Sequence, residues 1–112
     1  MSYDLVVWVG SRPASPKAAD KQYERMIRRL ERDDDTPPHP RLVAYAEALL
    51  ERWPEGEGSP WAVEPLLSDA VGDVFPLSVL TVHAKVVAAY AAGMARKLGL
   101  VCYDPQEGLL RP

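Results

Sequence analysis

The stretch Tyr3-Asp4-Leu5-Val6-Val7-Trp8-Val9 decides the fold prediction, because it is the clearest strand signal in the chain. β-Branched and aromatic residues dominate it, and Gly10 follows directly. Side chains alternate along a strand, so Val6 and Trp8 lie on one face and the remaining apolar residues lie on the other. Because both faces are largely apolar, we predict a central strand that is covered on both sides, or on one side and by a partner.

Three helices are predicted further along the chain from capping residues and from apolar stripes at helical spacing. Ser15 can cap the first helix and Pro16 can occupy its first position, so this helix is expected over 16–33. The second helix is expected over 40–53, and the third from 81 or 83 to 98. Their stripes predict one shared core under the helices, formed by Tyr23, Ile27, Leu30, Leu49, Val87, Tyr90 and Met94.

Further strands are predicted at 61–67, 74–82 and 100–103, and 109–112 is expected to return as a final hairpin arm. The element order is therefore β-α-α-β-β-α-β. Two strand–helix–strand units around a central hairpin are typical of a split β-α-β, ferredoxin-like sandwich of the α+β class. We expect a four-stranded, mostly antiparallel sheet with helices on one face. The topology is a variant, because the first crossover carries two helices.

Composition restricts the chain to a few classes of protein. With 112 residues, 47% hydrophobic and 26% charged, residues 1–112 are expected to form a single domain around one core. One cysteine, Cys102, excludes an intrachain disulfide and a cysteine-rich zinc site. No apolar run approaches the ~20 residues of a membrane span, and no basic region precedes the first apolar stretch. We therefore expect a cytoplasmic protein with no membrane partner.

Negative charge is concentrated in one part of the chain. The whole chain carries a net charge of −3, which argues against a nucleic-acid partner. Residues 54–82 contain five acidic residues and no Lys or Arg. This segment is either a solvated acidic face or an electrostatic docking surface for a basic partner. Asp33-Asp34-Asp35 would extend it if the proline-rich connector after the first helix folds against it.

Two tryptophans flank this acidic segment, and tryptophan is common both in cores and at interface hot spots. Trp53 continues the apolar stripe of the second helix, so we expect it in the core. Trp61 follows a Ser-Pro pair, and both a core and a surface position stay open for it. The candidate partner-binding residues are Glu55, Glu57, Trp61, Glu64, Asp69 and Asp73.

No arrangement of residues in the sequence predicts catalysis. His39, His83 and Cys102 have no spacing that is typical of a metal site or of a nucleophile–base pair. We expect Cys102 to be a small buried apolar residue. Asp104 follows a predicted strand directly, and we interpret it as a turn residue that binds its own downstream backbone. No catalytic residue, metal ligand or cofactor is therefore predicted.

Three segments of the chain resemble a known group of proteins. They are Tyr3-Asp4-Leu5-Val6-Val7-Trp8, Ser59-Pro60-Trp61-Ala62 and Gly99-Leu100-Val101-Cys102-Tyr103-Asp104-Pro105-Gln106. They resemble small, single-domain bacterial proteins that are themselves similar to immunity proteins of polymorphic or contact-dependent toxin systems. The resemblance extends over residues 3–110. It implies a protein that binds a cognate toxin domain and blocks the active site of the toxin or a site beside it.

The leading hypothesis is therefore an immunity-type protein without enzymatic activity, which neutralises a basic toxin domain by stoichiometric binding through its acidic surface. One alternative is a housekeeping interaction or scaffold domain that homodimerises through a sheet edge. A second alternative is a small ligand-binding domain or enzyme that uses a pocket between sheet and helices. The expected oligomeric state is a monomer or a weak homodimer.

Overall fold

A computed structural model describes residues 2–32 and 35–111 and confirms the predicted α+β class, with three helices and a four-stranded antiparallel sheet. The strands are β1 (Ser2–Val9), β2 (Val74–Leu80), β3 (Leu100–Asp104) and β4 (Leu109–Leu110). The helices are α1 (Pro16–Glu31), α2 (Pro40–Arg52) and α3 (Ala84–Lys97), and a 3₁₀ turn at Thr81–His83 precedes α3. The predicted end of the first helix, Asp33, lies outside the described residues.

The sheet has the order β2-β1-β3-β4, so the apolar β1 lies between two antiparallel neighbours. β2 and β3 are parallel to each other, are joined by α3 and have β1 between them, which is a split β-α-β unit. The other crossover, through α1 and α2, connects the antiparallel neighbours β1 and β2. The described residues therefore contain one split unit, whereas the sequence predicted two.

The predicted strand at 61–67 is reduced to a single bridge between Trp61 and Val79. With this bridge in the place of the second strand, the predicted order β-α-α-β-β-α-β is observed. The hairpin arm at Leu109–Leu110 completes the four-stranded sheet. Pro65 explains the short pairing in part, since proline cannot donate to a ladder.

Helices cover both faces of the sheet, which corrects the prediction that they would all lie on one. Leu5 and Val7 pack with residues of α2 and α3 in a large apolar cluster. Val6 and Trp8 point the opposite way and pack with Ala19 of α1 in a second, smaller cluster. The two apolar faces of β1 predicted that both sides are covered. They did not indicate which helix lies on which side.

The predicted shared core is therefore divided between two clusters. Leu49 and Val87 are buried in the cluster of α2 and α3, with Tyr90 and Met94 at its edge. Tyr23 and Leu30 lie at the edge of the α1 cluster, and Ile27 is half-buried. The buried face of α3 differs from the predicted stripe, because it consists mainly of small residues: Ala84, Val87, Ala88, Ala91, Ala92 and Ala95. These small side chains let α3 approach the sheet closely.

Both outer strands are poor templates for pairing with another chain. The N–H of Leu80 donates to the carbonyl of Pro60 at 2.7 Å, and the N–H of Ala62 donates to the carbonyl of Ser78 at 3.0 Å. Between these bonds and the other end of β2 lies Pro76, which has no N–H to offer. At the opposite edge β4 is only two residues long. This geometry does not favour a homodimer formed through a sheet edge.

Candidate functional site

Two of the predicted binding acids hold a loop together. The carboxylate of Glu64 accepts hydrogen bonds from the N–H of Gly56 at 2.9 Å and from the hydroxyl of Ser59 at 2.8 Å. These two bonds lower the pKa of Glu64. Glu64 thus binds residues that precede it in the chain, whereas Glu55 binds a later one: its carboxylate accepts a hydrogen bond from the N–H of Leu66. Residues 55–66, which we call the braced loop, are therefore tied at both ends by the acidic side chains that the sequence marked as docking residues.

Trp61 is buried, which excludes it as an exposed anchor. Only 4% of its surface is accessible, and its Nε1–H donates to the carbonyl of Trp53 at 2.7 Å. The Trp53 ring meets Trp61 edge-on at 6.1 Å and Tyr90 edge-on at 5.0 Å between centroids. Trp53, which was predicted to lie in the core, is the half-buried member, and the Arg52 guanidinium lies 4.5 Å from its ring centroid. The tryptophan that reaches the surface is therefore Trp53.

A groove with a largely apolar lining opens beside Trp53, and we call it the tryptophan groove. It has a volume of about 370 Å³. Val82 and Val86 form part of its wall and are 83% and 67% exposed, respectively. Gly58 also lines the groove, and Glu57 directly precedes it in the chain. The residues that line the groove are Trp53, Gly58, Pro60, Val82, His83, Lys85, Val86 and Val87.

The other candidate acids do not form one continuous surface with Glu57. Asp69 is exposed on the turn before β2. Asp73 lies at the start of β2, whereas the braced loop contacts its end, and β2 spans roughly 20 Å at about 3.3 Å per residue. Asp73 instead lines a groove with Arg25 and Arg28 of α1. The acids of residues 54–82 are therefore separated: those of the braced loop lie near the end of β2, and Asp73 lies at its start.

The connector after α1 packs against the turn that precedes Asp73. The N–H of His39 donates to the carbonyl of Gly72 at 2.8 Å, and the N–H of Gly72 donates to the carbonyl of Thr36 at 3.2 Å. Asp35 is exposed in this connector, whereas Asp33 and Asp34 lie outside the described residues. Gly72 has a φ of +51°, a left-handed conformation that other residues rarely adopt, so this position favours glycine.

Asp104 is the one buried charged side chain among the described residues, with 2% of its surface accessible. Burial opposes its ionisation, but hydrogen bonds from Tyr3 and Gln106, a bond from the Glu107 N–H and the charge of Arg111 outweigh burial and lower its pKa. The Gln106 N–H donates to Oδ1 at 3.1 Å, which confirms the interpretation of Asp104 as a turn residue. With its acceptor positions occupied by these donors, Asp104 acts as a structural anchor between β1, β3 and β4.

The remaining titratable side chains of interest are far apart. Burial raises the pKa of the Cys102 thiol to about 12, and the side chain is 3% exposed, as expected of a small buried apolar residue. His39 caps α2, since its Nδ1 accepts from the N–H of Arg41 at 3.0 Å. His83 lines the tryptophan groove. Across residues 2–32 and 35–111, no group of three or more His, Cys, Asp or Glu side chains could hold a metal ion.

Comparison with known proteins does not identify a family for this chain. No family model, curated protein or solved structure matches the chain. In the described part of the chain, no helix has the length and apolar character needed to cross a bilayer.

The sequence interpretation missed the apolar wall of the tryptophan groove. Val86 lies one helical turn before Tyr90 and so fits an apolar stripe of α3, but the alanines at positions 84, 88, 91 and 95 form a complete stripe without it. The signal was present in the spacing, because a buried face made of alanines leaves the larger Val86 on the outside. Val82 was predicted as the last residue of the strand 74–82, but this strand ends at Leu80 and Val82 lies in the 3₁₀ turn before α3.

Proposed function

We propose that this chain is an immunity-type protein without enzymatic activity, which neutralises a basic toxin domain in the cytoplasm by stoichiometric binding. The proposal rests on one observation, which is the tryptophan groove with the braced loop beside it. It also uses the resemblance of the chain to immunity proteins. The partner would seat an apolar side chain in the groove and place basic residues against the loop.

Most of the groove lining has the composition of an interface centre, and Lys85 and His83 are its polar members. Val82 and Val86 expose most of their surface to water, and Trp53 lies half-exposed between them and Trp61. Interface centres are apolar and depleted in charge, and tryptophan is among the residues that most often dominate binding energy. Folding leaves the apolar surface of Val82, Val86 and Trp53 partly exposed to water. A partner that covers these three side chains would bury that surface.

The braced loop supplies the electrostatic half of the proposed surface. Glu55, Glu57 and Glu64 carry three negative charges within ten residues, and no basic residue interrupts them. Negative charge of this density accelerates association with a basic partner. The bonds to Gly56, Ser59 and Leu66 hold the loop in place before binding, which lowers the entropy lost when the partner arrives.

The test begins with the genes that surround this one. If a large secreted protein is encoded directly upstream, its purified C-terminal domain is mixed with this chain. The expected result is a one-to-one complex whose association slows as salt rises, because salt screens the charges that steer the encounter. If no such domain binds the chain, the proposed function is wrong.

Two sets of variants locate the binding surface within that complex. Glu57→Lys changes the exposed acid of the braced loop that makes none of its bracing bonds, and we expect slower association at low salt. Val82→Asp changes an 83% exposed side chain of the groove, and we expect faster dissociation. The matched control is Glu24→Lys, which makes the same change of charge on α1, on the opposite face of the sheet. Equal effects of the control variant and the loop variant would contradict the assigned surface.

A further inference from the structure

A row of basic side chains runs along the outer side of α1, on the opposite face of the sheet from the tryptophan groove. Successive members are four, four, three and four positions apart, which places the first four on one side of α1, and the fifth is the extended C-cap residue that follows it. All of them are exposed, and the row is roughly 22 Å long at 1.5 Å per residue. We call it the basic row; its members are Lys17, Lys21, Arg25, Arg28 and Arg32.

The members of this row form no ion pairs within the part of the chain that the structure describes. There, no carboxylate lies within 4.0 Å of a charged nitrogen of any of the five side chains. Like charges one helical turn apart, such as Lys21 and Arg25, are offset by opposite charges at similar spacing, such as Glu24 and Arg28. The row therefore presents its charges to solvent.

A groove lies at the C-terminal half of the row. It has a volume of about 740 Å³, and arginines provide most of its charged lining. Arginine presents a planar fork of donors that binds a carboxylate through two parallel hydrogen bonds. The lining consists of Arg25, Met26, Arg28, Arg29, Glu31, Arg32 and Asp73.

The width of the row limits what it can bind. Asp20, Glu24 and Glu31 follow a neighbouring line along the same helix, so positive charge covers only a narrow strip. A nucleic-acid duplex is broad and would bring phosphates against these acids. Proteins that bind single strands use aromatic side chains as stacking platforms. The aromatic residue of α1, Tyr23, is half-buried and stacked on Tyr103 at 4.4 Å between centroids.

We propose that the basic row is a docking surface for an acidic helix of a partner protein, independent of the surface proposed above for the toxin domain. A partner helix with glutamates at the same spacing has the same rise per residue, so its charges meet the row turn for turn. Alternate residues of an extended peptide lie about 6.6 Å apart and lose this register along the row. An acidic helix thus matches the basic row in the sign of its charges, in the width of the charged strip and in the spacing of the charges along the axis.

The experiment measures binding of three short synthetic probes, two peptides and one DNA, to the full chain. The first is an 18-residue helical peptide in an Ala/Gln background with glutamates at the spacing of the row. The second contains the same five glutamates distributed around the helix, and the third is a 12-nucleotide single-stranded DNA. We expect the first peptide to bind most tightly, and added salt to weaken its binding.

The variant Arg25→Gln, Arg28→Gln, Arg32→Gln should weaken binding of the first peptide by roughly tenfold. Its melting temperature should stay close to that of the wild type, because the changes remove both repulsive and attractive charge pairs from exposed positions. The matched control removes three exposed charges elsewhere, through Arg41→Gln, Arg96→Gln and Lys97→Gln, and should stay within about twofold of the wild type.

Several results would overturn the proposal. They are equal binding of the two peptides, tighter binding of the DNA, an equal loss in the control variant, and no detectable binding of the first peptide at millimolar concentration. None of them bears on the tryptophan groove, so the two proposals stand or fall separately.

Discussion

The two faces of the sheet are held by different interactions. On the face of α2 and α3, Leu49 and Phe75 are fully buried, and the alanine side of α3 lies against the sheet. On the face of α1, the one buried helical residue is Ala19. The attachment there uses aromatic rings whose polar tips reach α1: the Nε1–H of Trp8 donates to Gln22 at 3.0 Å, and the hydroxyl of Tyr103 donates to Asp20 at 2.7 Å.

This difference explains how α1 accommodates polar and charged side chains close to its contact with the sheet. A helix that packs by small apolar residues has little room for polar side chains near its contact. A helix that lies on the ends of aromatic side chains can surround its contact with polar groups such as Asp20 and Gln22. We therefore expect α1 to be the helix that opens most readily in the native state.

Matched truncations on the two faces test this difference in packing most directly. Leu49→Ala, in the fully buried cluster, should lower the free energy of unfolding by roughly 3 kcal/mol. Leu30→Ala, at the half-buried edge of the α1 cluster, should cost about 1 kcal/mol, since part of its surface is already wet. Urea denaturation of both variants measures the difference, and equal losses would refute the contrast between the faces.

Enlarging the alanine side of α3 tests how closely that helix packs. Ala91 is fully buried, and its carbonyl accepts the hydroxyl of Tyr45 at 2.8 Å. Ala91→Leu should cost about 2 kcal/mol, because overpacking forces the neighbouring elements apart. The exposed Ala89 on the same helix is the control, and Ala89→Leu should leave the urea midpoint nearly unchanged.

A third prediction concerns the anchor at the end of the α2 and α3 face. Asp104→Asn removes the charge that Arg111 and Tyr3 bind, and should cost about 1.5 kcal/mol at pH 7. The folded pKa of Asp104 is below the ordinary value of 3.8, so the carboxylate stabilises the fold above that pH and loses this contribution as the pH falls through the folded value. Thermal melts from pH 6 to pH 2.5 should show a shallower acid decline in the variant; parallel declines would contradict this role.

The smallest expected effect on stability distinguishes the hydroxyl of Tyr45, which has a buried partner, from that of Tyr103, whose partner is exposed to solvent. Tyr45 is fully buried, so Tyr45→Phe should cost about 1 kcal/mol through the lost bond to Ala91. Tyr103→Phe loses a bond to Asp20, which is exposed and can bind water instead, so we expect a cost below about 0.5 kcal/mol. The two melting curves, measured side by side, give the comparison, and a larger loss for Tyr103→Phe would reverse it.

Local features of the fold were predictable from the sequence, whereas the arrangement in space was less so. Ser15 and Pro16 determined the start of α1, because a side-chain cap and a missing N–H act within one turn. The side of the sheet that each helix covers depends on contacts between distant residues, which periodicity does not report. The acidic segment shows the same limit: charge density can be counted, but the bonds that hold Glu55 and Glu64 appear only once the loop is folded.

The braced loop also determines how proteases would process this chain. Trypsin cleaves after Lys and Arg, and neither residue occurs between Arg52 and Lys85, so this entire stretch leaves a digest as one fragment. Proteases that cleave after glutamate must draw the side chain and its backbone into their active site. At Glu55 and Glu64 this means first breaking bonds to Leu66, Gly56 or Ser59, whereas Glu57 stands open at the tip. The most glutamate-rich loop of the molecule thus offers such an enzyme a single easy cut.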